Sequence, residues 1–161
     1  LYDESLRHHR LALSIFTFTN NQERVATTLN NIGSVHHKLG NYDSAFRYME
    51  KSSNIREAIG DYYGESESLN NLGVMLRNAE RFKEADEKFT KVISMRQRLQ
   101  DHNGLAAALM NLGVSKVRQG KVQEGIYLMQ KAKDEADAIK SNKWLLQIFT
   151  NLKEAESSRG N

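Results

Sequence analysis

Leu29-Asn30-Asn31-Ile32-Gly33 returns as Leu69-Asn70-Asn71-Leu72-Gly73 and again, with one change, as Leu109-Met110-Asn111-Leu112-Gly113. The interval is 40 residues each time, and Asn151-Leu152 continues the series. Outward from this core the same interval relates Tyr2, Tyr42, Phe82 and Val122, then Ser5, Ala45, Ala85 and Gly125, and at the head of the stretch Leu29, Leu69, Leu109 and Phe149. Self-similarity at a fixed period of this length marks a repeat architecture, in which each unit covers its apolar face by stacking on its neighbours.

Within one period Val25, Leu29, Ile32, His36 and Leu39 fall on one stripe at helical spacing, and Tyr42, Ala45, Met49 and Ser52 fall on a second. Each unit therefore reads as two helices, with no competing alternation of the strand type. Asn21, Asp61, Asp101 and Ser141 recur at the interval, and all four side chains accept hydrogen bonds from the free N–H groups of a helix start. Gly40, Gly120 and Gly160 share a phase where a left-handed residue closes the first helix of a hairpin, with Glu80 expected to be the exception. The absence of proline is compatible with nearly continuous helix. Helices are expected over residues 2–18, 22–39, 42–58, 62–79, 82–99, 102–119, 122–139 and 142–158. The organisation expected is a single all-α solenoid over 1–161: a half-repeat 1–20, repeats 21–60, 61–100 and 101–140, and a half-repeat 141–161. Because the chain begins at Leu1, it is expected to be a piece of a longer protein. Gly33, Gly73 and Gly113 sit mid-helix, where glycine costs about 1 kcal/mol relative to alanine. Their recurrence predicts a second helix backbone passing too close for a side chain.

Composition narrows the function classes. With 39% apolar and 27% charged residues among 161, the chain belongs with folded rather than disordered or membrane proteins. No apolar run approaches the roughly 20 residues that cross a bilayer, and there is no signal-peptide pattern. Cysteine is absent, so packing alone must hold the fold, as suits a reducing compartment such as the cytoplasm. The net charge of +3 comes from interspersed charges rather than a basic cluster, which points away from nucleic acid and toward a mild preference for acidic partners.

Small residues at Gly33 and Ala45, large apolar ones at Leu29, Ile32 and Met49, and the turn Leu39-Gly40-Asn41-Tyr42 resemble the tetratricopeptide repeat. The resemblance covers essentially the whole chain. It departs from the family in repeat length, 40 rather than 34, and in lacking the usual proline after the second helix. The longer repeat with its Asn-Asn pairs is similar to those of kinesin light chains and of Pins-type spindle-orientation adaptors. The resemblance implies a right-handed superhelix of antiparallel hairpins, whose concave wall is lined by the first helix of each repeat and receives an extended or helical partner segment. It implies no catalytic chemistry and no cofactor.

With Ile32 as the reference direction, Asn31 points about 100 degrees away on an ideal helix, off the apolar stripe. Its neighbours one turn away give a strip that includes Ser34 and Lys38, then Val74 and Asn78, then Val114 and Arg118. Asn31, Asn71, Asn111 and Asn151 would form a ladder whose amides can both donate to and accept from a peptide backbone. Asn30 and Asn70 stand beside it, Met110, Val74 and Val114 offer apolar contact, Lys38, Arg77 and Arg118 favour acidic side chains, and His37 faces the same wall. The plainer reading is that the asparagines fit a polar surface or bond between repeats.

Other candidates carry less. His8-His9 and His36-His37 are adjacent pairs whose side chains diverge by about 100 degrees on a helix, so no metal is expected, and His36 reads as a packed core histidine. Gly60 to Gly64 lacks the strand and Lys-Ser/Thr of a phosphate loop and reads as a turn. Asp86 and Glu87 read as solvated carboxylates without a convergent partner, and Trp144 as a packing residue. Leu6, Leu13 and Phe16 at one end and Trp144, Leu145 and Phe149 at the other are apolar on half-repeats, so a head-to-tail or swapped homodimer is the alternative to an adaptor. A regulatory segment of a larger signalling protein is the third reading.

Overall fold

The computed structural model describes residues 2–158. They form α1 (Tyr2–Phe18), α2 (Gln22–Lys38), α3 (Tyr42–Ala58), α4 (Tyr62–Asn78), α5 (Phe82–Arg98), α6 (His102–Arg118), α7 (Val122–Ala138) and α8 (Asn142–Ser158), with no strand among the described residues. The all-α fold class is as expected, and five of the eight helices end one residue before the boundary read from sequence. Two compact units divide the chain, residues 1–75 and 76–161.

Three-residue turns join the helices, and all follow one hydrogen-bond scheme. After α2 the Asn41 N–H donates to the His36 carbonyl at 2.9 Å and the Gly40 N–H to the His37 carbonyl at 3.0 Å. The same two bonds close every other turn, for example Arg81 to Leu76 at 2.9 Å and Glu80 to Arg77 at 3.0 Å after α4. This closure requires a left-handed residue at the turn's centre. Glu80 adopts it with φ 59°, as do Asn20, Gln100 and Lys140. Glu80 is therefore no exception: the two bonds outweigh the roughly 1–2 kcal/mol that a side chain costs there. Gly160 lies outside the described residues. First-type helices are capped as expected, the Asn21, Asp61 and Asp101 side chains accepting from the N–H groups of Arg24, Gly64 and Gly104 at 3.1, 2.9 and 3.0 Å.

The second capping oxygen of Asp61 and Asp101 binds an arginine from the preceding helix. Arg56 pairs with Asp61 and Arg96 with Asp101, and both guanidiniums are buried. Gly64 and Gly104 make the room, since a Cβ on Gly64 would stand 1.5 Å from Arg56 Nη1 and one on Gly104 2.6 Å from Arg96 Cδ. Gly64 is thus helical and packed rather than part of a turn. At the equivalent places elsewhere the sizes are exchanged, with Arg24 over the Phe16 ring at 5.3 Å and Ala136 paired in phase with Trp144.

In unit 1, Leu6, Ile32 and Val35 form a buried cluster with Leu13 and Tyr48 packed on it, and His36 stacks on Tyr48 at 5.4 Å between ring centroids. Leu39 and Tyr42, read as stripe positions, are exposed at the turn. Polar seams complete this interior, Ser52 Oγ donating to the Ala26 carbonyl at 2.7 Å and lying 3.1 Å from Ser68 Oγ. In unit 2 the corresponding places are apolar, with Leu105, Ala106, Leu109, Ile126, Met129, Ala132 and Ile148 in one cluster. Of the apolar terminal residues, Leu6 is buried and Leu13, Phe16, Trp144 and Leu145 are half-buried, so Phe149 alone of the six is exposed. Leu11, Ile15 and Phe18 on α1 and Leu146 on α8 are the further exposed apolar residues there.

Gly33 and Gly113 do what their recurrence predicted. A Cβ on Gly33 would lie 2.8 Å from Met49 Cγ and 3.2 Å from the Ala45 carbonyl oxygen. On Gly113 it would lie 2.8 Å from Met129 Cγ and 2.9 Å from the Gly125 carbonyl oxygen. Gly73 is buried as well. Asp86 corrects the reading of a solvated carboxylate: it accepts from Ser115 Oγ at 2.6 Å and Gln119 Nε2 at 2.9 Å, and pairs with Lys116 Nζ at 2.9 Å, tying α5 to α6.

Two measurements test these contacts. Gly113→Ala is expected to lower stability by about 1–3 kcal/mol despite its better helix propensity, and by more than Gly33→Ala, whose Cβ meets backbone less closely. Denaturant unfolding with equal effects, or a gain in either variant, would contradict it. For Asp86, burial works against the charge, but the bonds from Ser115, Gln119 and Lys116 and the Lys116 charge prevail and hold its pKa below the ordinary value. Its stabilisation is present above that ordinary value and is lost as pH falls through the lowered one. Asp86→Asn is expected to cost about 1–2 kcal/mol at neutral pH, with the gap closing in thermal melts below about pH 4.

Candidate functional site

Each unit holds a hollow floored by the methionine that the mid-helix glycine admits. In unit 1 it measures about 200 Å³ and is lined by Ser34, His37 and Lys38 of α2, Met49 of α3, and Asn71, Val74 and Met75 of α4. In unit 2 it measures about 340 Å³ and is lined by Arg77, Met110, Asn111, Val114, Val117, Arg118, Met129, Gln147, Asn151, Glu154 and Ala155. Every residue lining the first has its counterpart 80 residues later in the lining of the second, Met49 with Met129, Asn71 with Asn151, Lys38 with Arg118 and Val74 with Glu154 among them. The hollows are one site of the repeat, written twice with different chemistry.

Eleven of the fifteen residues read as groove candidates from sequence line these two hollows. Asn30, Asn31, Asn70 and Asn78 line neither. Asn31 is exposed, whereas Asn71, Asn111 and Asn151 are half-buried, so the fourfold recurrence does not give four equal environments. The Asn30 Oδ1 is buried and accepts no hydrogen bond, and Asn78 Oδ1 accepts from Arg118 Nη1 at 3.4 Å. His37 packs against Tyr42 at 5.7 Å between ring centroids. Sequence reasoning missed Met49, Met75, Val117, Met129, Gln147, Glu154 and Ala155 as lining. Met49 and Met129 were legible, because each lies opposite a mid-helix glycine.

The electrostatics of the unit 2 hollow centre on Arg77. Its Nη1 donates to the Asn111 carbonyl at 3.3 Å and to Asn111 Oδ1 at 3.4 Å, both long, and its guanidinium stands 6.0 Å over the Phe89 ring. Its Nε is buried and makes no hydrogen bond. Burial, with the Arg118 charge adding to it, brings the Arg77 pKa down to about 10. Two guanidiniums thus line one hollow, one of them partly desolvated. Around them Asn111, Asn151 and Gln147 present amide groups that can donate or accept. Glu154 also lines the hollow. Elsewhere, His102 Nδ1 lies 2.6 Å from Glu135 Oε2, and Trp144 Nε1 donates to Asn103 Oδ1. Among the described residues, no group of three or more His, Asp or Glu side chains is placed to hold a metal ion, and no helix is long and apolar enough to cross a membrane.

A family profile described as tetratricopeptide repeat matches residues 1–58 and 24–98, together more than half of the chain. The chain belongs to the tetratricopeptide repeat family. Solved structures agree on the fold. BtubC (BKLC) from P. vanneervenii superposes with a TM-score of 0.78 at 22% identity, over 87% of this chain and 58% of that one. Aspartyl phosphate phosphatase F from Bacillus subtilis gives 0.88 at 15% identity, over 98% and 44%. A putative kinesin light chain of Podospora anserina with nearly identical TPR-like repeats gives 0.79 at 16% identity, over 99% and 79%. The chain spans about half the length of the first two. No curated protein sequence matches it. The fold class is thus the α-solenoid of stacked antiparallel hairpins that tetratricopeptide repeats build, a fold that generally mediates protein–protein interaction.

Arg77 makes long bonds to Asn111 and pairs with no carboxylate, unlike Arg56 and Arg96, which are paired with aspartates. Arg77→Met, which keeps the aliphatic volume and removes the desolvated charge, is expected to leave the melting temperature unchanged or to raise it by about 2–4 °C. A fall of that size in thermal unfolding at pH 7 would assign the residue to the fold instead.

Proposed function

We propose that this tetratricopeptide repeat protein is a non-catalytic adaptor of a reducing compartment such as the cytoplasm. Its first-type helices hold a short acidic segment of a partner protein. The observation that carries this is the pair Arg77 and Arg118 in one amide-lined hollow. The hollow carries one more cation than carboxylates, Arg77 and Arg118 against Glu154, and a partner carboxylate would balance the second arginine with charge-assisted hydrogen bonds. Asn111 and Asn151, in the same hollow as the two arginines, are the residues suited to bond the segment's backbone, because amides satisfy N–H and C=O groups with little regard to sequence. Asn31, exposed and outside the hollows, takes no part in this refined form of the ladder.

Self-assembly is the second reading, favoured by exposed Leu11, Ile15 and Phe18 on α1 and Leu146 and Phe149 on α8. A head-to-tail or swapped dimer that rebuilt a hairpin contact on α8 would meet Lys153 at the phase of Gly33 and Gly113, where the internal hairpins leave no room for a Cβ. That obstacle favours the adaptor.

A library of capped, amidated heptapeptides panned on the immobilised chain is expected to return sequences with Asp or Glu at a fixed position. Joint replacement of Arg77 and Arg118 by Met should reduce that acidic enrichment about tenfold or more, since a hydrogen bond to a charged group contributes about 1.5–3 kcal/mol. Acidic selection indifferent to both arginines would remove them from recognition, and sedimentation showing a concentration-dependent dimer that fails to select peptides would favour self-assembly.

A further inference from the structure

The two hollows share a floor and differ in one wall. The row that begins with Ser34 continues as Val74, Val114 and Glu154, so that Val74 closes the unit 1 hollow where Glu154 closes that of unit 2. Met49, Val74 and Met75 give the unit 1 hollow three apolar walls, and its lining carries Lys38 but no carboxylate. Unit 2 presents two arginines and a glutamate at the corresponding place. Thioethers are unbranched, polarizable and tolerant of shape, which suits a pocket for an aliphatic side chain rather than for a second charge. Met49 is 2% exposed and is pressed against Gly33, so the floor is fixed before anything enters.

Building on the groove reading, we propose that the unit 1 hollow is a specificity pocket in its own right. It takes one aliphatic residue of the partner segment, of leucine or methionine size, beside an acidic residue that pairs with the exposed Lys38. Val74 is the residue that decides this preference. Ser34, His37 and Asn71 at the rim leave the neighbouring backbone of the segment with polar partners. The unit 2 hollow, with Glu154 in the place of Val74, has no such preference. The chain therefore reads two different residue classes with two copies of one geometry.

The same capped heptapeptide library tests it. The wild-type chain should enrich Leu, Ile or Met at one position with Asp or Glu next to it. Val74→Glu, which writes the unit 2 wall into unit 1, should reduce the aliphatic enrichment about tenfold, the value of one buried aliphatic side chain. Val74→Ala only enlarges the hollow and should shift the preferred residue toward Phe or Met, which keeps the test open if the glutamate variant fails to fold. Lys38→Gln should remove the neighbouring acidic preference and spare the aliphatic one. Acidic selection without an aliphatic preference, or an aliphatic preference indifferent to both Val74 variants, would overturn this assignment and leave the groove reading standing. No enrichment by the wild-type chain would overturn both.

Discussion

At Gly33 and Gly113 the facing helix of the hairpin comes so close that an added methyl group would force a shift, and the candidate hollows follow from that approach. At Gly33 and Gly113 an added Cβ would stand 2.8 Å from the Cγ of Met49 and of Met129. Glycine mid-helix costs about 1 kcal/mol in propensity, while burying a methionine side chain recovers about 1.5–3 kcal/mol. The contact is therefore favourable on its own account. It also lays each methionine across the helix junction, where its flank becomes the floor of a hollow. A glycine chosen for packing thus sets where a ligand side chain can go.

Charge is handled in two ways within the same frame. Arg56 and Arg96 are buried against Asp61 and Asp101, aspartates that also cap the next helix, and each fits because the residue three beyond the cap is glycine. Those arginines each have a carboxylate partner within the fold. Arg77 has none: its bonds are to the Asn111 amide and carbonyl, they are long, and Arg118 adds repulsion, while a buried Nε without a hydrogen bond is common to all three. Buried groups left partly unsatisfied in an otherwise consistent structure concentrate at functional positions. The contrast is between two arginines held by carboxylates and one held by an amide.

Period, helix type and helix ends were legible because they rest on local signals that recur: apolar spacing, capping side chains and mid-helix glycines. Glu80 was misread because residue preference was weighed and the hydrogen-bond scheme was not, although two backbone bonds settle the conformation whatever side chain is present. Asp86 was misread because a single-helix projection cannot show Ser115, Lys116 and Gln119 arriving from another helix. The strip expected on the first-type helices lines the two hollows at Ser34, Lys38, Val114 and Arg118. Its floor was missed, since Met49 and Met129 belong to second-type helices, where Met49 reads only as part of an apolar stripe. Asn31 shows the limit of phase: it shares a letter and a position with Asn111, yet Asn31 is exposed while Asn111 accepts from Arg77.

Repetition and divergence therefore carry different information. Positions that must repeat, such as the glycines, the caps and the asparagines, define a geometry that each hairpin reproduces. Positions free to vary without disturbing that geometry are the ones able to encode what is bound. The row Ser34, Val74, Val114, Glu154 is of this kind, since it borders the hollows and its members range from hydroxyl to aliphatic to carboxylate. The neighbouring row His37, Arg77, Val117 behaves alike, and between them they account for most of the chemical difference between the two hollows. Under the proposed reading, specificity lies in the few side chains that break the period where the period has built a hollow.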